Sequence, residues 1–219
     1  MLTQLPTHRA FPLTLPRQKG GRAFWCIALL LSAVMVEPPA ANASQPGDTV
    51  KRIIEDGRRI LQDPCCQSVE RKLLQQERLR DLLYRDFDFV EFSRRVLADK
   101  WGSFSPNQRE EFVQVFSRFL ADFYLSRLQR SYANESVTVR DQTIVAPGRA
   151  LVRANVVWRH QEVPIDIRLH TRGGSWKIYD LGALGISAVQ LYRAQFQDIL
   201  RTRSPADVIE LIKGRLQEP

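Results

Sequence analysis

The sequence predicts an α+β fold, on three observations. Apolar residues recur at a spacing near 3.6 from about residue 48 to 132, every second residue from 137 to 181, and again near 3.6 from 186 onward. A block of helices, a block of strands and a closing pair of helices, rather than strict alternation, implies an antiparallel sheet with helices packed against it. Neither an internal repeat nor a low-complexity linker interrupts residues 44–219, so these form one domain.

The first helix spans Asp48 to Gln62, with Val50, Ile53, Ile54, Ile60 and Leu61 on one stripe, and Pro64 stops it. The second runs from Ser68 to Tyr84 on Val69, Leu73, Leu74, Leu79, Leu82 and Leu83. A third, Asp88 to Lys100, carries Phe89, Phe92, Val96 and Leu97 and ends at Gly102. Ser105 caps the long fourth helix, with Pro106 in its first position and Gln108 three residues after the cap, so a capping box forms; this helix reaches about Tyr132. The period then changes. Val137 with Val139, Thr143 to Val145, Ala150 to Trp158, Val163 to Leu169 and Ser175 to Leu181 read as five short strands of an antiparallel meander. Helices from Ile186 to Thr202 and from Ser204 to Leu216 complete the chain.

At the N-terminus, Arg17, Lys19 and Arg22 precede an apolar run from Ala23 to Val36, and the small-x-small group Ala41-Asn42-Ala43 follows. As a helix the run covers about 21 Å, short of the ~30 Å hydrocarbon core, so a signal peptide cleaved after Ala43 is expected in place of a membrane anchor. Cys26 lies inside the run and lacks the setting of a lipoprotein site. The 176 residues that remain hold 28 Lys and Arg against 23 Asp and Glu. That mild positive balance is scattered and interleaved with acids, without a basic strip carrying exposed aromatics, which argues against nucleic acid as a partner.

Cys65 and Cys66 are neighbours without a second partner in the mature chain, and only His160 and His170 remain to join a metal site, so no metal centre is expected. An enzyme is the competing functional class. Its nucleophile would be Ser187 or Ser175, its base His160 or His170, with Asp166 or Asp180 to orient the base. Against it, Gly185-Ile186-Ser187-Ala188-Val189 has no second glycine to build a nucleophile elbow, and Ser187 is better placed to cap the following helix. His160 falls in a turn, and His170 alternates away from the apolar face.

The fourth helix is unusually apolar. Phe112, Val113, Val115, Phe116, Phe119, Leu120, Phe123, Tyr124, Leu125 and Leu128 cover more than the stripe one contact needs. Opposite it, Val163, Ile165, Ile167 and Leu169 share one strand face, as do Ala150, Val152, Ala154, Val156 and Trp158 on the next. Taken alone, such stripes mean tight packing; small alanines facing large aromatics leave a concavity as the other option.

Three groups of residues carry a family resemblance. They are Gly173-Gly174-Ser175-Trp176-Lys177-Ile178-Tyr179-Asp180-Leu181, the corner Gly185-Ile186-Ser187 with Tyr192-Arg193-Ala194-Gln195-Phe196, and Leu97 and Trp101 leading into Ser105 to Arg109 and the fourth helix. In that order, from about Phe87 to the C-terminus, the sequence resembles the MlaC family of periplasmic phospholipid-binding proteins, also known as toluene-tolerance components. The resemblance implies a phospholipid held as cargo between sheet and helices, with no cofactor. By position it implies a lining of Phe116, Leu120 and Tyr124 on the helix and Ile165, Ile167, Ile178 and Ile186 on the sheet side. It implies shuttling between inner and outer membranes that maintains outer-membrane lipid asymmetry. The implied partners are an inner-membrane ABC transporter complex bearing an MCE-domain protein and an outer-membrane lipoprotein–porin complex. The chain departs from the family pattern at Leu184, where many members are acidic, and at Ile167, where a Tyr is usual. Those changes leave open a hopanoid or other polycyclic cargo, and a cargo-free interaction module is the remaining alternative.

Overall fold

The computed structural model describes residues 45–63, 69–158 and 160–217; the expected signal peptide and the Cys65-Cys66 pair lie outside them. The helices are α1 (Pro46–Leu61), α2 (Val69–Asp86), α3 (Phe89–Leu97), α4 (Pro106–Ser131), α5 (Ala188–Ile199) and α6 (Pro205–Gln217). A short 3₁₀ turn over Ala98–Ser103 replaces the last turn expected of α3. The strands are β1 (Val137–Ala146), β2 (Arg149–Trp158), β3 (Gln161–Arg172), β4 (Ser175–Ala183) and β5 (Ile186–Ser187), forming one antiparallel sheet in chain order.

Local chemistry sets the boundaries. Asp88 caps α3 by accepting from the Glu91 N–H, and Ser105 opens α4 with the full capping box, the Gln108 side chain accepting from the Ser105 N–H in return. The two short strands expected at Val137 and Thr143 are one strand, bent by irregularities between Val139 and Asp141 and between Ile144 and Ala146. The fifth strand is instead Ile186–Ser187, expected as the start of a helix: Leu184 and Gly185, both at positive φ, fold it back on Gly182 and Ala183.

The anticipated strand faces hold, with Ala150 opposite Leu169, Val152 opposite Ile167 and Ala154 opposite Ile165. The helix that covers them is α1, through Val50, Ile53 and Ile54. The aromatics of α4 pack elsewhere: Phe112 and Phe116 join Phe92 of α3, Phe196 of α5 and Val208, Ile209 and Ile212 of α6. A third, smaller cluster of Leu79, Ala121 and Leu125 joins α2 to α4, and α4 faces the sheet across open space. Among the described residues no helix is long and apolar enough to cross a membrane.

Candidate functional site: two adjoining apolar cavities

Space remains where α2 and α4 approach β4. A cavity of about 710 Å³ lies among α1, α2, the end of α4 and the sheet, bordered by Ile54, Leu79, Leu82, Leu125, Val156 and Ile178. A second, of about 470 Å³, lies among α4, α5 and the β4–β5 corner, bordered by Phe92, Leu120, Tyr124, Ile165, Ile186 and Leu191. Both fall within the roughly 300–1,000 Å³ typical of ligand sites. They touch, since Leu83, Phe87 and Leu181 border both.

Of the residues expected in the lining, Leu120, Tyr124, Ile165 and Ile186 surround the second cavity and Ile178 the first. Phe116, 1% exposed, and Ile167, 6% exposed, border neither. Phe116 sits in the helical core and reaches only a smaller cavity of about 390 Å³ among α4, α5 and α6; Ile167 belongs to the α1–sheet core. The family departure at Ile167 thus changes packing, and Leu184, 70% exposed, lies on the corner outside both cavities. Sequence reasoning missed the contribution of α1 and α2 to the larger cavity. Its signal was present in the apolar stripes of both helices, but periodicity does not say what a stripe faces.

Polar groups sit at the cavity edges. Tyr124 and Tyr192, which both border the second cavity, join hydroxyls at 3.1 Å, and burial together with that bond pushes the Tyr192 phenol up. Tyr132 borders the first cavity, and its buried hydroxyl has no hydrogen-bond partner among the described residues.

Two buried carboxylates bracket Phe87. Asp86 accepts from Arg52 at 2.7 Å and from Arg85, while Asp88 binds His170 at 2.9 Å and Arg172 at 2.8 Å. Burial favours the neutral acids, but the arginines on Asp86 outweigh it, as do the Glu91 N–H, Arg172 and His170 on Asp88, and both carboxyls lie below the usual carboxylate range. A carboxyl depressed in the folded state contributes stability above its unfolded pKa near 4 and loses it as pH falls through the folded value. The melting temperature is therefore expected to hold from pH 7 to about 5 and to fall below about 4, less steeply in Asp86→Asn and Asp88→Asn. A decline already complete by pH 5 would contradict this assignment.

Of the groups considered for catalysis, Ser187, Asp180, His170 and Asp166 are engaged in bonds or ion pairs, and Ser175 and His160 lie apart on the surface. Ser187 donates to Asp180 at 2.6 Å and accepts from the Gln190 N–H, and Asp180 also accepts from the Val189 N–H and Arg168. His170 is engaged by Asp88, His160 lies exposed in the β2–β3 turn, Ser175 is exposed at the start of β4, and Asp166 lies near Arg153 and Arg168. Among the described residues no group of three or more His, Cys, Asp or Glu is placed to hold a metal ion. Ser187→Ala is expected to cost about 1 kcal/mol through loss of the cap, read as a lower urea midpoint, without emptying either cavity.

The comparisons with known proteins agree with this architecture. Toluene tolerance protein ttg2D of Pseudomonas putida is 32% identical over 124 residues, which are 56% of this chain and 57% of that protein. The intermembrane phospholipid transport system binding protein MlaC of Haemophilus influenzae is 25% identical over 101 residues, 44% of this chain and 47% of its own. The chain thus spans about half the length of these two relatives. A solved structure of a phospholipid-binding protein from Ralstonia solanacearum, in complex with a phospholipid, superposes with a TM-score of 0.68 at 20% identity, covering 78% of this chain and 97% of that one, and shows the shared fold. The match to the MlaC protein family runs over residues 51–214, three quarters of the sequence, and the chain belongs to that family.

Proposed function

We propose that the protein is a periplasmic phospholipid carrier of an intermembrane transport system. The observation that carries this reading is the pair of adjoining apolar cavities between helices and sheet, in a fold shared with a protein solved holding a phospholipid. Two acyl chains with roughly 30 methylenes, at about 0.8 kcal/mol each, represent about 24 kcal/mol of gross burial, above the ceiling of about 18–21 kcal/mol on net affinities. Release into water is then slow, and cargo must pass directly to a docked partner with an apolar channel of its own. An inner-membrane ABC transporter complex with an MCE-domain protein and an outer-membrane lipoprotein–porin complex fill that role in this reading. The signal peptide expected over residues 1–43 would place the protein in the periplasm, and maintenance of outer-membrane lipid asymmetry is the physiological role proposed.

Leu184 and Ile167 border neither cavity, so they give a polycyclic cargo no support from the lining. The deciding experiment is mass spectrometry of an organic extract of protein purified from periplasm without detergent. Phospholipid at about one molecule per chain is expected. A hopanoid in its place would replace the cargo, and lipid-free protein would indicate an interaction module.

A further inference from the structure

We infer that Phe87, with Leu83 and Leu181, is a wall that splits the lipid site into two chambers, each taking one acyl chain. The inference rests on the carrier reading above. These three residues are the ones common to both cavities, and each chamber has its own lining beyond them: Leu82 and Val156 on one side, Leu120 and Ile165 on the other. At about 30 Å³ for each water-sized group, the smaller chamber holds roughly 16 such groups, about one chain, and the larger roughly 24, more than one chain of about 16 carbons and too few for two.

The wall is fixed at its inner end. The Asp88 N–H donates to the Ile178 carbonyl at 2.7 Å, pinning the chain beside Phe87 to β4, and the Phe87 ring lies 4.7 Å from Phe89 and 5.5 Å from Phe92. The ion pairs of Asp86 and Asp88 hold the residues on either side of it. Its outer end is Leu181, 40% exposed, and the rims beside it are Leu128 for the larger chamber and Tyr124 for the smaller, both exposed as well. A lipid with one polar head and two chains fits that outline with its head above Leu181 and one chain on each side of Phe87. The rigid bracket explains why buried aspartates flank Phe87, one ending α2 and one capping α3, across a connection of only two residues.

The test uses the mature protein stripped of lipid and two probes, palmitoyl lysophosphatidylglycerol and dipalmitoyl phosphatidylglycerol, counted by native mass spectrometry. Saturation is expected at two single-chain molecules or one two-chain molecule. Val156→Trp, which fills the larger chamber, and Ile165→Trp, which fills the smaller, should each cut the single-chain count from two to one and weaken the two-chain probe roughly tenfold. Wild-type saturation at one single-chain molecule would overturn the division without any variant. So would folded variants that both keep two molecules, or either one that loses both. A wild type that takes up neither probe would overturn the carrier reading and the division with it.

Discussion

Phe116→Ala is expected to destabilise the protein by about 3–5 kcal/mol, the usual cost of emptying a buried aromatic site. The ring is 1% exposed and lies 5.1 to 5.8 Å from four others, those of Phe92, Phe112, Tyr192 and Phe196, which tie α3, α4 and α5 together. Removing it leaves a void bordered by rings that cannot collapse without shifting three helices. For a domain of this size the melting temperature should drop by roughly 10 °C or more. Lipid content at temperatures where the variant is folded should be unchanged, because Phe116 borders neither chamber. A loss below about 1 kcal/mol would show that the helical core is loose at its centre.

The second large effect separates two neighbours on one strand face. Ile165 and Ile167 both point toward the apolar layer, but Ile165 is half-buried at the edge of the smaller cavity, whereas Ile167 is wedged between Val152 and Leu181 under α1. Ile165→Arg can run its stem along the cavity wall and bring its charge toward the mouth, so the protein should fold and lose co-purified lipid. Ile167→Arg buries an unpaired charge in a closed core and should fail to fold stably. Circular dichroism melts followed by lipid extraction read both. Folded Ile165→Arg with a full complement of lipid would show that the smaller cavity is not used, and a folded Ile167→Arg would show that the α1–sheet core opens more readily than its packing implies.

That contrast also marks the limit of what the sequence discloses. Alternation placed Ile165 and Ile167 on the same face correctly, because side-chain direction is a local property of an extended backbone. Both pack against the core under α1, but which of them also borders a cavity depends on how far α1 extends over the sheet, and no periodicity carries that information. Caps were legible for the same local reason: Ser105, Pro106 and Gln108 specify the start of α4 within four residues. The long first strand was not, since Arg140-Asp141-Gln142 breaks the alternation where the ladder shifts register. Ile186–Ser187 is too short a strand for any period to show. Four of the seven lining residues carried over from the family surround one cavity, while the larger cavity depends chiefly on α1 and α2, outside the motifs that carried the resemblance.

The order of the sheet bears on how the chain reaches this structure. Every strand pairs with the strand that precedes or follows it, and each connection is two residues long, with at least one residue at positive φ in each: Gly148, His160, Gly173 with Gly174, and Leu184 with Gly185. Hairpins of this kind close in about 1–10 μs from contiguous sequence, without waiting for distant segments. α1 is different, because it reaches its place on β1 and β2 only across some 80 intervening residues. A chain that crosses a membrane N-terminus first would therefore hold its first helix unsatisfied until the meander has emerged and zipped, and closure of α1 over Val152 and Ile167 would be the late, slow event that seals the sheet.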